Sequence, residues 1–246
     1  PSASALPIPV SNWDFLGTEW RFLIFGMAMA FWSSLGQTFF ISLFSGQIRQ
    51  TLDISHGDFG TYYAIATTAS ALSLIWLGKL ADTIRLEKLA VFVLGSLCCS
   101  AILFSQTSSL WMLVGGLYFL RMFGQGMMTH VYTTAMARRY VSTRGRAISI
   151  AQLGQTLSES MGPASIVALL ALFDWRSLWI GLPIVAFCTL APFIRYLTQR
   201  TRLQDGEGRE GLTCNQSWPE KTLFSQRQWR RSEVLRDPAF WLALIW

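Results

Sequence analysis

Apolar residues run almost unbroken along most of this 246-residue chain, and polar ones collect in short gaps between the runs. No Asp, Glu, Lys or Arg falls among the 27 residues between Arg21 and Arg49, or among the 20 between Asp58 and Lys79. The same holds for the 32 between Lys88 and Arg121, a run divided only by the polar sequence Ser105-Gln106-Thr107-Ser108-Ser109. About 20 apolar residues in a helix cross a ~30 Å hydrocarbon core. Backbone that faces lipid must satisfy its own hydrogen bonds, and a helix does so. The pattern therefore predicts an all-α fold, a polytopic membrane bundle with six spans over residues 22–47, 59–78, 89–106, 110–137, 147–172 and 177–195. A seventh apolar run opens at Pro238 and reaches only Trp246. Nine residues rise only about 14 Å in a helix, which is too short to cross. With no initiator Met either, the chain is expected to be a fragment with its seventh helix truncated.

Composition supports the same solvent. Charged residues make up 14% of the chain, against about a quarter in soluble domains. The basic residues also give an orientation. With the N-terminus in the cytoplasm, 17 Lys and Arg fall in inner segments, and only Arg49 and Arg176 fall in outer loops. That asymmetry is the positive-inside pattern. It accounts for the net charge of +6 without nucleic acid, because the cations sit beside spans rather than on a folded basic face. The expected organisation is a cytoplasmic segment 1–21, a six-helix domain 22–195, a cytoplasmic linker 196–237 and the start of a seventh helix, 238–246. The linker mixes charges of both signs with Gly206-Glu207-Gly208 and with Trp218, Leu223, Phe224 and Trp229. Both a solvated linker and an amphipathic helix on the inner leaflet fit that mixture. The four Cys, three of them inside spans, read as small packing residues.

The turn between spans 2 and 3 reads Gly78-Lys79-Leu80-Ala81-Asp82. It resembles the loop signature of the major facilitator superfamily. The match holds at Gly78, Leu80, Ala81 and Asp82. It departs afterwards, where Thr83, Leu86 and Glu87 stand at positions that are usually basic, and Arg85 and Lys88 supply cations from shifted positions. Leu120–Gly126 (LRMFGQG) is similar to the family's span-4 pattern, and residues 144–164 to its span-5 region with the Gly162-Pro163 pair. DWRSLW (174–179) and LRDPAFW (235–241) are similar to the entries of spans 6 and 7. The resemblance implies a twelve-span secondary transporter of two six-span halves that carries a small-molecule substrate by alternating access. This chain would be the first half, with the C-terminal half of the same chain missing. It further implies that Asp82 helps latch the cytoplasmic side, and that spans 1, 2, 4 and 5 surround the cavity while 3 and 6 lie outside.

Ionisable residues inside spans are costly and usually face the bundle interior or water. Arg121 in span 4 and Glu159 in span 5 are the clear cases, at similar depth. On a 100° wheel, Gln125, Met128 and Tyr132 share the Arg121 face, and Gln152, Gln155 and Pro163 share the Glu159 face. Span 1 offers Ser33, Gln37, Phe40 and Phe44 as further lining residues, and span 2 offers Tyr63, Thr67 and Ser70. Three roles are open for Arg121 and Glu159: a titrating pair that relays protons, an Arg121 site for a substrate carboxylate, or a static ion pair. His130 falls on the opposite face from Arg121 and reads as a packing residue. Pro163 removes a backbone donor and is expected to bend span 5. No HExxH, CxxC or nucleophile–base constellation occurs, so neither an enzyme, a metal site nor a cofactor is expected. The lipid bilayer, a small solute and protons are the expected partners. The leading substrate class is a small organic anion such as a monocarboxylate. Efflux of amphipathic compounds and a non-transporting receptor on the same fold are the alternatives.

Overall fold

The computed structural model describes residues 12–78, 84, 86–140 and 143–200, with side chains described from 19 to 194 within them. Leu80, Asp82 and Arg85 of the turn signature lie outside the described residues, as does the chain beyond residue 200. Among the described residues there are helices and no strand, and each of the six apolar runs forms one span.

Span 1 is not one helix. It runs over Asn12–Trp32, tightens into a 3₁₀ turn at Ser33–Gly36, and resumes as Thr38–Leu43 and Ser45–Leu52. The break has a local cause. The Ser33 and Ser34 hydroxyls donate back to the carbonyls of Ala30 and Phe31, which gives the backbone an alternative to its helical ladder. Gln37 then adopts extended backbone, φ −83° and ψ 153°. Asp53 closes the span in the left-handed region at φ 52°, a conformation that Asp tolerates better than most residues.

Span 2, His56–Leu77, starts from a capping box in which Ser55 and Asp58 satisfy each other's backbone N–H. Span 3 is Leu86–Ser105, and span 5 is Arg144–Leu170. Span 6 is Trp175–Arg200. Span 4 consists of Leu110–Leu120, a π-helical stretch Arg121–Met128, and Thr129–Arg139. Among the described helices, Leu86–Ser105 and Trp175–Ile194 are long and apolar enough to pass a strict membrane-span test. The others carry the polar and broken segments from which the candidate site is built.

Packing follows side-chain size. Span 1 lies along span 5 over a stripe of small buried residues, Ala147, Ala151, Gly154 and Ser158. Small faces let helix backbones approach closely where lipid supplies no hydrophobic drive. Span 3 lies against span 6, where the Cys98 thiol donates to the Pro183 carbonyl at 3.2 Å. Spans 2 and 4 meet through the Tyr118 hydroxyl, which donates to Ser73 Oγ at 2.8 Å. Near the loop assigned to the outside, Trp179 is fully buried between Phe40, Phe44 and Phe104, with ring centroids 5.5, 5.2 and 4.8 Å away. Phe40 and Phe44 are therefore core residues here, not cavity lining. The wheel that placed them beside Gln37 assumed a continuous helix, and the turn at Ser33–Gly36 rotates everything after it. Arg176 closes this end by donating to the carbonyls of Ser105 and Thr107.

Candidate functional site

Two glycines bring spans 1 and 4 together. A Cβ on Gly124 would lie 2.6 Å from Gly36 Cα and 2.8 Å from its nitrogen. A Cβ on Gly36 would overlap the Leu120 carbonyl. The broken turn of span 1 and the π stretch of span 4 thus cross backbone to backbone. Arg121 opens that stretch and is 8% exposed. Its Nη1 donates to Thr38 Oγ1 at 2.9 Å and points at the Gly36 carbonyl at 3.4 Å. Its guanidinium lies 5.3 Å from the Tyr63 ring centroid, a cation–π distance. The Tyr63 hydroxyl donates to the same Thr38 Oγ1 at 2.9 Å. Arg121 Nε is buried and has no hydrogen-bond partner among the described residues. Spans 1, 2 and 4 therefore converge on one guanidinium whose partners among the described residues are all neutral.

The other sequence candidates separate into groups. Gln37 is buried at the break of span 1, next to Thr38. Thr67 is half-buried, and its hydroxyl oxygen has no hydrogen bond among the described residues. Gln125 is exposed, whereas Met128 and Tyr132 are fully buried. A 100° wheel had put these three on one face with Arg121. The π stretch closes its bonds one residue later than an α-helix, so the face drifts through residues 121–128. On span 5, Gln152 and Glu159 are exposed and Gln155 is half-buried. The Gln155 amide donates to Glu159 Oε1 at 2.9 Å. Among the described residues no ion pair joins Arg121 to Glu159, so a static pair does not describe these two residues. The helix continues through Gly162 and Pro163 to Leu170. Pro163 lacks the N–H that would reach the Glu159 carbonyl.

At the other end of span 2, Gly78 caps the helix, and its carbonyl lies 3.0 Å from His130 Nε2. A carbonyl only accepts, so the proton of this imidazole sits on Nε2. His130 thus ties span 4 to the start of the 2–3 turn, a packing role. Lys88, on the far side of that turn, is exposed on the first turn of span 3.

One cluster was not anticipated from the sequence. Glu19 Oε2 accepts from Arg139 Nε at 3.0 Å, from Arg139 Nη2 at 2.8 Å and from the Tyr140 hydroxyl at 2.9 Å. Arg139 also lies 4.8 Å over the Phe22 ring. The first helix begins at Asn12, well before the apolar run, and this extension puts Glu19 opposite the end of span 4. Burial would lower the Arg139 pKa, but the hydrogen bond and charge of Glu19, with Tyr140, outweigh it and the net shift is upward. Burial and then the Glu19 carboxylate push the Tyr140 phenol well above its ordinary value. A raised phenol pKa contributes stability that is complete below the unfolded value of about 10 and is lost as pH climbs towards the folded value. Thermal melts of the detergent-solubilised protein should fall between pH 9.5 and 11.5, and Tyr140→Phe should flatten part of that fall. Parallel pH curves for the two proteins would refute this linkage.

The fold is an all-helical bundle with a polar seam between spans 1, 2 and 4. A family model described as Major Facilitator Superfamily matches residues 16–246, and the chain belongs to that superfamily. It is accordingly an integral membrane protein and a secondary transporter of small molecules, not an enzyme. No curated protein and no solved structure matches the chain.

Proposed function

We propose that this protein moves small organic anions of the monocarboxylate class across the cytoplasmic membrane by alternating access, coupled to protons, with its N-terminus in the cytoplasm. One observation carries the reading. Arg121 is buried at the junction of spans 1, 2 and 4, and among the described residues no carboxylate pairs with it. An arginine stays charged at any physiological pH. A buried charge without a countercharge is costly, and an anion that enters the site removes that cost. A carboxylate matches the guanidinium fork with two parallel bonds. Glu159, exposed on span 5 with Gln155 on its carboxyl, is the proposed proton carrier. Gly78, Leu80, Asp82, Arg85 and Lys88 are proposed as the cytoplasmic latch.

The test uses the complete protein in proteoliposomes. Labelled lactate, pyruvate and acetate are offered beside their uncharged amides, with and without an inward proton gradient. The acids should enter faster than the amides, and the gradient should drive accumulation. Equal rates for acid and amide would overturn the anion reading. Glu159→Gln should abolish gradient-driven accumulation while leaving exchange of internal for external anion. Full accumulation by that variant would remove Glu159 from the proton path.

A second reading has its own observation. An apolar groove of about 290 Å³ between spans 1 and 5 is lined by Met27, Phe31, Trp32 and Leu157, among others. Such a surface suits an amphipathic compound, and the protein would then be an efflux antiporter. Extrusion of a lipophilic dye from loaded vesicles, with no movement of any carboxylate, would favour it.

A further inference from the structure

We propose that Thr38 is a second substrate-binding group, donating its hydroxyl proton to the carboxylate that Arg121 holds, and that Tyr63 is the residue that forces it into that role. The inference rests on the anion reading of Arg121 and deepens it.

The argument is a count of protons and lone pairs. A threonine hydroxyl has one proton and two acceptor positions. Arg121 Nη1 only donates, and it takes one acceptor position of Thr38 Oγ1 at 2.9 Å. The Tyr63 hydroxyl donates to the same oxygen, also at 2.9 Å. Both acceptor positions are then filled. Many other hydroxyls in these spans, though not that of Thr67, spend their proton on a carbonyl one turn back, as Ser33 does to Ala30 and Thr51 to Gln47. Thr38 makes no such bond, because the residues before it are in the 3₁₀ turn and the extended Gln37. Its proton has no acceptor among the described residues. The assignment to Thr38 follows from the direction of this bond, Tyr63 to Thr38; in the reverse direction the unspent proton would be that of Tyr63.

Thr38 is exposed, so its proton reaches open space. The Arg121 guanidinium lies beside it, with Nη1 on Thr38 Oγ1 and the Tyr63 ring 5.3 Å away. The site therefore presents N–H and O–H protons side by side, and the nearby Gly36 carbonyl already faces Arg121 Nη1. A group with acceptors only fits there, and a carboxylate is one. The neutral amide of the same acid brings an NH₂ that meets the donors of Thr38 and Arg121. Discrimination between acid and amide thus comes from Thr38 as well as from charge.

The experiment measures KM and kcat for lactate uptake, and competition by lactamide, with the complete protein in proteoliposomes. Thr38→Val keeps the shape and removes the hydroxyl. It should raise KM about tenfold, the usual scale of one hydrogen bond to a charged group, with kcat little changed. Thr38→Ser should restore KM to within about threefold. Tyr63→Phe frees an acceptor position on Thr38 and should improve competition by lactamide. A Thr38→Val protein with unchanged KM overturns the proposal. So does a loss of kcat at constant KM, or a failure of serine to rescue, since either marks a packing role. If Arg121→Gln also left lactate uptake unchanged, the anion reading itself would fall. Loss of uptake in Arg121→Gln alongside an unchanged KM in Thr38→Val would sink only the role of Thr38.

Discussion

Replacing Gly154 with leucine should leave no folded protein to purify. A Cβ at this position would overlap the Met27 carbonyl oxygen and lie 2.7 Å from its carbon. The obstacle is backbone, which cannot turn aside as a side-chain end can. The neighbouring contacts give no room either. Gly26 packs against Ala151, where an added Cβ would lie 2.8 Å from the Ala151 methyl. Spans 1 and 5 would have to separate along their whole seam, and Ala147, Ala151 and Ser158 would lose contact with span 1. Overpacking a core with side-chain neighbours costs about 1–3 kcal/mol, and a backbone obstacle exceeds that range. Even Gly154→Ala should lower the melting temperature in detergent by several degrees. Gly115 and Gly181 are the controls, because nothing lies within 4 Å of an added Cβ at either position. Alanine there should be neutral. Monodisperse yield by size-exclusion chromatography and a thermal melt give the comparison. A well-folded Gly154→Leu protein would mean that the seam is not the close contact described.

How much of this was legible follows from where the helices depart from ideal geometry. Apolar runs located the six spans, and long charge-free stretches marked the first three most sharply, because the cost of burying Asp, Glu, Lys or Arg in lipid is large and local. Arg121 was legible for the same reason, as the lone cation within span 4. What surrounds it was not. Thr38 carries no sequence signal of its own, since a threonine in an apolar run ordinarily bonds its own helix. It meets Arg121 because Ser33 and Ser34 break span 1 and because Gly36 and Gly124 let two backbones touch. Neither event has a period that a wheel can detect. The π stretch moved Gln125 away from Met128 and Tyr132 by the same kind of departure. Tyr63 was legible as a candidate by position, though only the fold shows it stacked on the guanidinium. Glu19 lay in the segment 1–21 read as cytoplasmic, and only a helix that starts at Asn12 carries it to Arg139. Local chemistry along one helix was readable. Contacts that depend on where two helices deviate from regularity were not.

Arg121→Gln should cut kcat/KM for carboxylate uptake by about a hundredfold while leaving the melting temperature nearly unchanged. The two halves of that expectation have separate grounds. Hydrogen bonds to charged groups contribute about 1.5–3 kcal/mol each. Two of them lost from a carboxylate come to at least ~3 kcal/mol, and each 1.4 kcal/mol is tenfold. Stability behaves differently. Where a buried ion pair is broken, the orphaned partner costs several kcal/mol. Here the partners of Arg121 among the described residues are neutral, Thr38, the Gly36 carbonyl and the Tyr63 ring, so its removal strands no charge among them. Its Nε is unbonded already. Arg121→Lys should fall between the two, at about tenfold, because a lysine keeps the charge but not the fork. Uptake of a neutral amide, slow in the native protein, should be less affected by either change. A guanidinium that merely held spans 1, 2 and 4 together would give the opposite pattern: a lower melting temperature, with acid and amide uptake reduced alike. Carboxylate uptake at the native rate in a well-folded Arg121→Gln protein would end the anion reading.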